Sequence, residues 1–217
     1  MIKEGKINAI KRDLHEFAAL VEHMIERSIK GLISKDKALL TAVIEEDEVK
    51  ANSFETTIEE LCTVFIAQFQ PQAKNLRTML MILKMNNDLE RVADHAVNIS
   101  ESSLFLIERP QIKPYVDLPK MAETVIEMLN DSIHGFINED GVLARSVCRR
   151  DEIADDLKDK ILNDLIAIMT RDPSVIERSV HLIRIVRNLE RVADLSTNLC
   201  EDVVFMVEGK VIRHQIA

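Results

Sequence analysis

The chain has 217 residues, and its 28 basic and 37 acidic side chains give a formal net charge of −9. Five glycines, five prolines, one tyrosine and no tryptophan are too few for the turns and cores of a sandwich, a barrel or a doubly wound sheet. An acidic chain without clusters of lysine or arginine is not expected to bind nucleic acid, because phosphate contacts need concentrated positive charge. No apolar run is long enough to span a bilayer, and the N-terminus lacks the apolar stretch of a signal peptide. We therefore expect a cytoplasmic, all-α protein without membrane insertion.

Apolar residues at helical spacing predict three helices in the first half of the chain. The first is predicted over residues 7–33. Ser34 is expected to cap the second helix, because serine is a preferred N-cap residue. Pro71 is expected in the first turn of a third helix, where proline is tolerated, and this helix should end near Arg109.

The second half of the chain shows the same pattern. Helices are predicted over residues 118–137 and 142–169. A third helix should start at Pro173, with Asp172 as its N-cap, and extend to about Glu208. Most of these helices are longer than average and the connections are short, which favours antiparallel bundles.

Three prolines within ten residues mark the strongest linker signal in the chain. The predicted organisation is a first three-helix module (1–109), a proline-rich linker (110–119), a second three-helix module (120–209) and a loose tail (210–217). The predicted fold is all-α, with two tandem three-helix bundles and six long antiparallel helices.

A six-residue segment occurs twice in the chain. Residues 89–94 read Leu-Glu-Arg-Val-Ala-Asp, and residues 189–194 repeat them letter for letter. Over the thirteen residues from 89 and from 189, eight are identical, whereas average residue usage would give about one. Each copy lies on the third helix of its half. The two modules are therefore predicted to be related by an internal repeat.

A second pair of segments aligns less closely. Glu48 and Asn52 on the second helix align with Asp151 and Asp155 on the fifth. The separation is 103 residues here but 100 at the repeated motif, so the intervening segments differ in length.

The repeated motif places oxygen-bearing side chains on one face of its helix. On a helical wheel Asn87, Glu90, Asp94, Asn98 and Glu101 fall within a strip about 80° wide, opposite the apolar face. We therefore expect the strip to be exposed. Like charges four residues apart destabilise a helix slightly, and carboxylate and amide oxygens suit Mg²⁺, Ca²⁺, Mn²⁺ or iron. The alternative is a solvated face whose charges are neutralised by Arg91 of the motif.

The candidate metal ligands form two sets. The first consists of the motif carboxylates, Glu90, Asp94, Glu190 and Asp194. The second consists of flanking or aligned oxygen donors, Asn98, Asn198, Glu101, Glu201, Glu48, Asn52, Asp151 and Asp155.

With these motifs the sequence resembles the PhoU family, whose members have two three-helix bundles with a Glu/Asp-x-x-x-Asp motif on each third helix. The resemblance implies that Glu90, Asp94, Glu190 and Asp194 are ligands of surface metal clusters. Iron is the favoured metal, with zinc, manganese, magnesium, nickel and calcium as alternatives. The family commonly has glycine where this chain has Ala93 and Ala193.

The resemblance also implies a function. It predicts a negative regulator of phosphate uptake and of the phosphate-starvation response. The expected partners are the ATPase subunit of a phosphate transporter and a sensor histidine kinase, and a homodimer is expected. His95 has no counterpart in the second copy, where residue 195 is leucine, so the two sites are expected to differ in metal content.

Three alternatives remain open from the sequence. The chain is either a metal-free helical adaptor, an accessory protein of another phosphate transporter, or a carboxylate-bridged di-metal enzyme. The enzyme is disfavoured because helical di-iron sites use inward-facing Glu-x-x-His motifs, which this sequence lacks. We therefore predict no catalytic residues and no bound cofactor other than metal ions.

Overall fold

The computed structural model describes residues 2–208 of the chain, which are helical apart from short connections. The helices are α1 (Ile2–Ser34), α2 (Lys37–Ala42), α3 (Glu48–Phe69), α4 (Lys74–Ile107), α5 (Asp117–Ile137), α6 (Gly141–Arg171) and α7 (Ile176–Glu208). A π-helical turn, Val43–Asp47, joins α2 to α3, and a 3-10 turn, Pro173–Val175, leads into α7. The predicted tail, 210–217, lies outside the described residues.

The helices form the two predicted tandem bundles. One bundle contains α1, the α2–α3 segment and α4, and the other contains α5, α6 and α7. The bundles meet where α4 packs against α7 and where α1 packs against α5. Equivalent helices of the repeat therefore form the junction between the modules. Within the described residues, none of the helices is long and apolar enough to cross a bilayer.

The core fixes the orientation of the helix that carries the first motif. Leu89, Val92, Ala96 and Ile99 of α4 are fully buried. They lie on the side opposite Glu90, as the apolar periodicity predicts. The acidic strip is consequently directed away from the core.

The first connection in each module has the same geometry. Asp36 and Asp140 are N-caps whose side chains accept hydrogen bonds from two backbone N–H groups, at 2.9–3.2 Å. The residues before them, Lys35 and Glu139, have left-handed backbones with φ of 56° and 54°. The prediction that Ser34 is the N-cap is wrong, because the chain must first reverse through Lys35. Ser34 ends α1 instead.

The prediction that Pro71 opens the third helix is also wrong. Gln70 and Ala73 have positive φ values, 42° and 46°, so the backbone changes direction at two residues before α4 begins at Lys74. Pro71 is buried within this connection. The helix start is set by these backbone conformations, which the position of the proline does not reveal.

Two other boundaries can be compared with the structure. Asp172 is an N-cap, accepting a hydrogen bond from the backbone N–H of Ser174 at 2.9 Å, but it caps the 3-10 turn that Pro173 opens. The predicted helix start at Pro173 is three residues early, because α7 begins at Ile176. The predicted linker, 110–119, overlaps the first turn of α5, which begins at Asp117.

The π-helical turn explains a change in the spacing of the repeat. Equivalent residues are 104 positions apart at the caps Asp36 and Asp140, but 103 apart at the buried alanines Ala51 and Ala154. The first module thus has one additional residue between these points. The Val43–Asp47 turn accommodates it, because an i→i+5 hydrogen bond encloses one more residue than an α-turn does.

We predict that deleting Glu45, an exposed residue of the π turn, leaves the protein folded, with a melting temperature within a few degrees of the parent. The deletion converts the π turn into an α-turn and keeps the apolar face of α3 in register. Deleting the exposed Glu59 is the control. It rotates the buried residues Cys62 and Phe65 out of the core, which should cost several kcal/mol and lower the melting temperature by about 10 °C. Equal losses in thermal denaturation would contradict this account of the turn.

Candidate functional site

The two copies of the motif differ in exposure. In the first copy Glu90 is half-buried, whereas Asp94, Asn98 and Glu101 are exposed. The predicted exposure of the strip therefore holds for three of these four side chains. In the second copy three of the four equivalent side chains are half-buried, namely Glu190, Asp194 and Glu201, while Asn198 is exposed.

The first acidic cluster consists of Glu90 and Asp94 on α4 together with Glu55 on α3. The pKa of Glu90 is raised, chiefly by burial and then by the negative charges of Asp94 and Glu55. Arg91 opposes this shift, but its guanidinium donates to Asp88 at 3.3 Å. The first acidic cluster thus retains negative charge that the protein does not fully compensate.

The second acidic cluster consists of Asp151 and Asp155 on α6 with Glu190 and Asp194 on α7. A lysine on α6 lies among these carboxylates. The Nζ atom of Lys158 is 2.7 Å from Oδ1 of Asp155 and 3.0 Å from Oε1 of Glu190. The hydrogen bond to Asp155 is the main reason why the pKa of Lys158 is raised well above its usual value. The ammonium group therefore provides a positive charge inside this cluster.

Lys158 and Glu55 occupy equivalent positions, because they are separated by the same 103 residues as Ala51 and Ala154. The first cluster thus has a carboxylate where the second has an ammonium group. Sequence reasoning missed both residues, since at this spacing it compared the oxygen donors and the apolar positions but not Glu55 with Lys158. The signal was present three residues beyond Asn52 and Asp155.

Asp151 is the most strongly perturbed carboxylate of the second cluster. Burial, reinforced by the charges of Asp155 and Asp194, raises the pKa of Asp151 to about 6, although Lys158 opposes the shift. Asp194 also has a raised pKa, again chiefly through burial and then through Glu190. Even with Lys158 present, this cluster does not fully stabilise its negative charges.

Three of the flanking candidates can be placed relative to the first acidic cluster. Asn52 and Glu48 precede Glu55 on α3 by one and two helical turns. The side-chain amide of Asn98 donates to the backbone carbonyl of Asp94 at 2.9 Å, within the same helix.

The carboxylate oxygens of the first acidic cluster are suited to a hard cation that keeps part of its water shell. Within residues 2–208 no three His, Cys, Asp or Glu side chains converge closely enough to hold one ion. The first acidic cluster nevertheless offers carboxylate oxygens with uncompensated charge on two adjacent helices. Such ligands suit divalent cations whose remaining positions are filled by water.

The two clusters flank the contact between α4 and α7. Nδ1 of His95 donates to Oδ1 of Asn188 across this contact, at 2.8 Å. The pKa of His95 is lowered chiefly by burial, while its hydrogen bond to Asn188 opposes the shift. Arg91 and Arg191 lower it further, so charged residues of both motifs surround the same imidazole. The histidine that lacks a counterpart in the repeat is thus part of the module junction.

Comparison with known proteins identifies close relatives. A profile of the PhoU domain matches residues 14–103 and 118–203, one match in each module. The chain is 35% identical over 210 residues to a phosphate-specific transport system accessory protein PhoU homolog from Aquifex aeolicus, covering 97% of this chain and 95% of that protein. A homolog with the same description from Pseudomonas aeruginosa is 30% identical over 211 residues, covering 97% and 87%.

Solved structures show the same architecture. The crystal structure of PhoU from Pseudomonas aeruginosa superposes with a TM-score of 0.91 at 29% identity, covering 95% of this chain and 99% of that one. A phosphate transport system regulatory protein PhoU from Streptococcus pneumoniae has a TM-score of 0.87 at 24% identity, covering 96% and 98%. The fold therefore extends over both modules in each protein.

We predict that Asp151 of the metal-free protein titrates near pH 6 and that Lys158→Met raises its pKa further, because the ammonium group stabilises the carboxylate. The folded state binds this proton more tightly than the unfolded state does. The contribution of Asp151 to the free energy of unfolding should therefore fall as the pH rises from about 4 to about 6. Carbon-13 NMR titration of the side-chain carboxyl measures the pKa directly. Lys160→Met, on the same helix but paired with Asp117, is the control and should leave the titration unchanged. Titration of Asp151 near pH 4 would contradict the prediction.

Proposed function

The chain belongs to the PhoU family, and we propose from this that it is a negative regulator of phosphate uptake and of the phosphate-starvation response. It acts by binding other proteins, not by catalysis. Its partners are the ATPase subunit of a phosphate transporter and a sensor histidine kinase. The matches to both modules and the names of the relatives, accessory proteins of phosphate-specific transport, support this proposal.

The observation that carries the proposal is the pair of acidic clusters on α4 and α7, the helices that pack against each other at the module junction. Each cluster combines the repeated motif with the neighbouring second helix of its own module. Their charges are incompletely compensated, so a basic surface of a partner or a cation lowers the electrostatic energy. Two modules provide two such surfaces, which is sufficient for two different partners.

We propose that the first acidic cluster binds metal, with iron favoured and zinc, manganese, magnesium, nickel or calcium as alternatives. Glu90 and Asp94 would supply carboxylate oxygens, and the negative charge of Glu55 would add to the attraction for the cation. When bound, the metal neutralises these carboxylates and offers open coordination positions to a partner. In the second acidic cluster Lys158 already supplies a positive charge, so we propose weaker metal binding there.

The proposed location is the cytoplasm, where ATPase subunits and kinase domains operate, and the proposed assembly is a homodimer. Exposed apolar side chains on α3 and α6, Leu61, Val64, Ile153 and Ile166, are available for self-association.

The second candidate is a metal-free helical adaptor, and the lysine of the second cluster favours it. Lys158 pairs with Asp155 and Glu190, so a positive charge of the protein itself compensates part of this cluster without a metal ion. An adaptor of another phosphate transporter would have the same surfaces. The di-metal enzyme receives no support from the site, because the motif carboxylates lie on the surface.

We predict that the parent, purified without chelator, contains metal and that Glu90→Gln/Asp94→Asn removes most of it. Glu190→Gln/Asp194→Asn is the matched variant of the second cluster and should remove less, because Lys158 competes for those carboxylates. Elemental analysis measures the metal, and circular dichroism should show unchanged helicity in both variants. Larger loss from the second variant would contradict the proposed asymmetry. A parent that neither contains nor rebinds iron, manganese or zinc would favour the metal-free adaptor.

We further predict that the purified ATPase subunit and the soluble kinase domain each bind the chain in surface plasmon resonance. Combining the four amide substitutions of both motifs should weaken at least one affinity by about tenfold, as expected when a close charge pair worth about 1.4 kcal/mol is lost. The control, Glu59→Gln/Glu60→Gln, changes exposed acidic residues of α3 outside the clusters and should bind like the parent. Absence of binding to both proteins would refute the proposed partners.

Deleting the gene should switch on a phosphate-starvation reporter in phosphate-rich medium.

A further inference from the structure

A groove lies between the first helices of the two modules, away from the acidic clusters. It is formed by the N-terminal third of α1 and the C-terminal end of α5, and its volume is about 760 Å³. The polar lining side chains are Asn8, Lys11, Arg12 and His15 on α1, and His134 and Asn138 at the end of α5. Ligand sites in proteins typically enclose roughly 300–1,000 Å³, so this α1–α5 groove is large enough for a small organic molecule.

The lining of the α1–α5 groove can donate hydrogen bonds and contains no carboxylate, although acidic residues outnumber basic ones in the chain. Lysine and arginine contribute full positive charges, while imidazole and amide groups contribute further N–H donors. Within residues 2–208, neither Lys11 nor Arg12 has a carboxylate oxygen within 4.0 Å. The charge of Arg12 acts to lower the pKa of the adjacent Asp13, but neither cation forms an ion pair there, so both can attract an anion in the groove.

Lys11 is held in place by an aromatic ring instead of an acidic partner. Its Nζ atom lies 5.2 Å from the centroid of the Phe136 ring. Burial is the main cause that lowers the pKa of Lys11, and the positive charge of Lys74 acts in the same direction. Glu139 acts in the opposite direction, but it is already paired with Lys74 at 2.8 Å. An anion beside Lys11 would supply the compensation that the protein does not provide.

Three backbone carbonyls at the end of α5, those of His134, Gly135 and Phe136, are hydrogen-bonded within the chain. The backbone N–H of Asn138 donates to the carbonyls of His134 and Phe136, and that of Asp140 donates to the carbonyl of Gly135 at 2.8 Å. The turn after α5 thus satisfies these acceptors internally. The side chains of His134 and Asn138 remain directed at the groove.

We propose that the α1–α5 groove binds a soluble phosphorylated small molecule of about nucleotide size. A phosphoryl group has several acceptor oxygens, which match a lining made of donors, and arginine and lysine are the usual partners of phosphate. The volume exceeds what one phosphate group needs, and Ile137 adds an apolar surface for an organic portion. The ligand touches both modules, because α1 and α5 belong to different ones. This inference goes beyond the proposed function and depends on neither metal nor protein partners.

The test is isothermal titration calorimetry of the full chain, treated with chelator and studied without divalent cations, so that the acidic clusters cannot bind a metal-bound probe. The probes are inorganic phosphate, AMP and ATP. We expect AMP and ATP to bind at least tenfold more tightly than inorganic phosphate. Absence of measurable binding at millimolar AMP and ATP would overturn the proposal, as would phosphate binding as tightly as the nucleotides.

Two pairs of variants locate the binding. Lys11→Gln/Arg12→Gln should weaken nucleotide binding at least tenfold, whereas Lys30→Gln/Arg149→Gln, the same charge change on exposed residues outside the groove, should not. Asn8→Asp places a carboxylate in the groove without changing the size of the side chain, and it should also weaken binding tenfold. The control Asn163→Asp, at an exposed position of α6, should not weaken binding. Melting temperatures identify any variant that unfolds. Equal losses in the groove and control variants would overturn the proposal.

A last experiment distinguishes binding of a soluble ligand from binding of lipid headgroups. Sedimentation with vesicles of phosphatidylcholine containing anionic phosphatidylglycerol measures membrane binding. We expect no sedimentation that depends on Lys11 and Arg12. Vesicle binding lost in the Lys11→Gln/Arg12→Gln variant, together with no nucleotide binding, would assign the groove to a lipid surface and overturn the soluble ligand.

Discussion

The packing of α4 against α7 is the constraint on which the arrangement of the site depends. Each of these helices buries one apolar stripe, with Leu89 and Val92 on α4 and their equivalents Leu189 and Val192 on α7 fully excluded from solvent. Because the motif carboxylates lie on the opposite side of the same helices, burial of the stripe fixes the direction of the acidic strip. Each strip therefore lies next to the second helix of its own module.

The identical motifs have different electrostatic environments because their neighbours differ. A carboxylate beside other carboxylates raises their pKa values, as Glu55 does for Glu90. An ammonium group has the opposite effect, as Lys158 does for Asp151. The two motifs are thus identical in sequence. Residues on the neighbouring second helices determine the net charge of each cluster. A repeated ligand motif alone does not determine whether both copies bind the same ion.

Much of the fold could be predicted from the sequence, because long amphipathic helices have a strong periodic signal. The positions of the turns could not, since residues such as Lys35 and Gln70 adopt left-handed backbones that their identities do not indicate. Ion pairs between helices were also beyond sequence reasoning. Arg27 pairs with the buried Asp47 at 2.7 Å in the first module, whereas the corresponding pair of the second module, Asp131 and Arg150, has the charges exchanged between helices. Such exchanges preserve the ion pair. An alignment of the two repeats does not reveal it, because equivalent positions then hold residues of opposite charge.

The charges of the chain are segregated between the two contacts of the module junction. The α4–α7 contact is flanked by acidic clusters, whereas the α1–α5 contact has a groove lined by hydrogen-bond donors. A ligand in the α1–α5 groove would contact both modules. It would therefore favour the module arrangement that brings the donor groups of the groove together. The α1–α5 contact and the α4–α7 contact belong to the same junction, so the groove and the acidic clusters share one module interface. A small anion would alter the surfaces offered to protein partners only if it bound two module arrangements with different affinities.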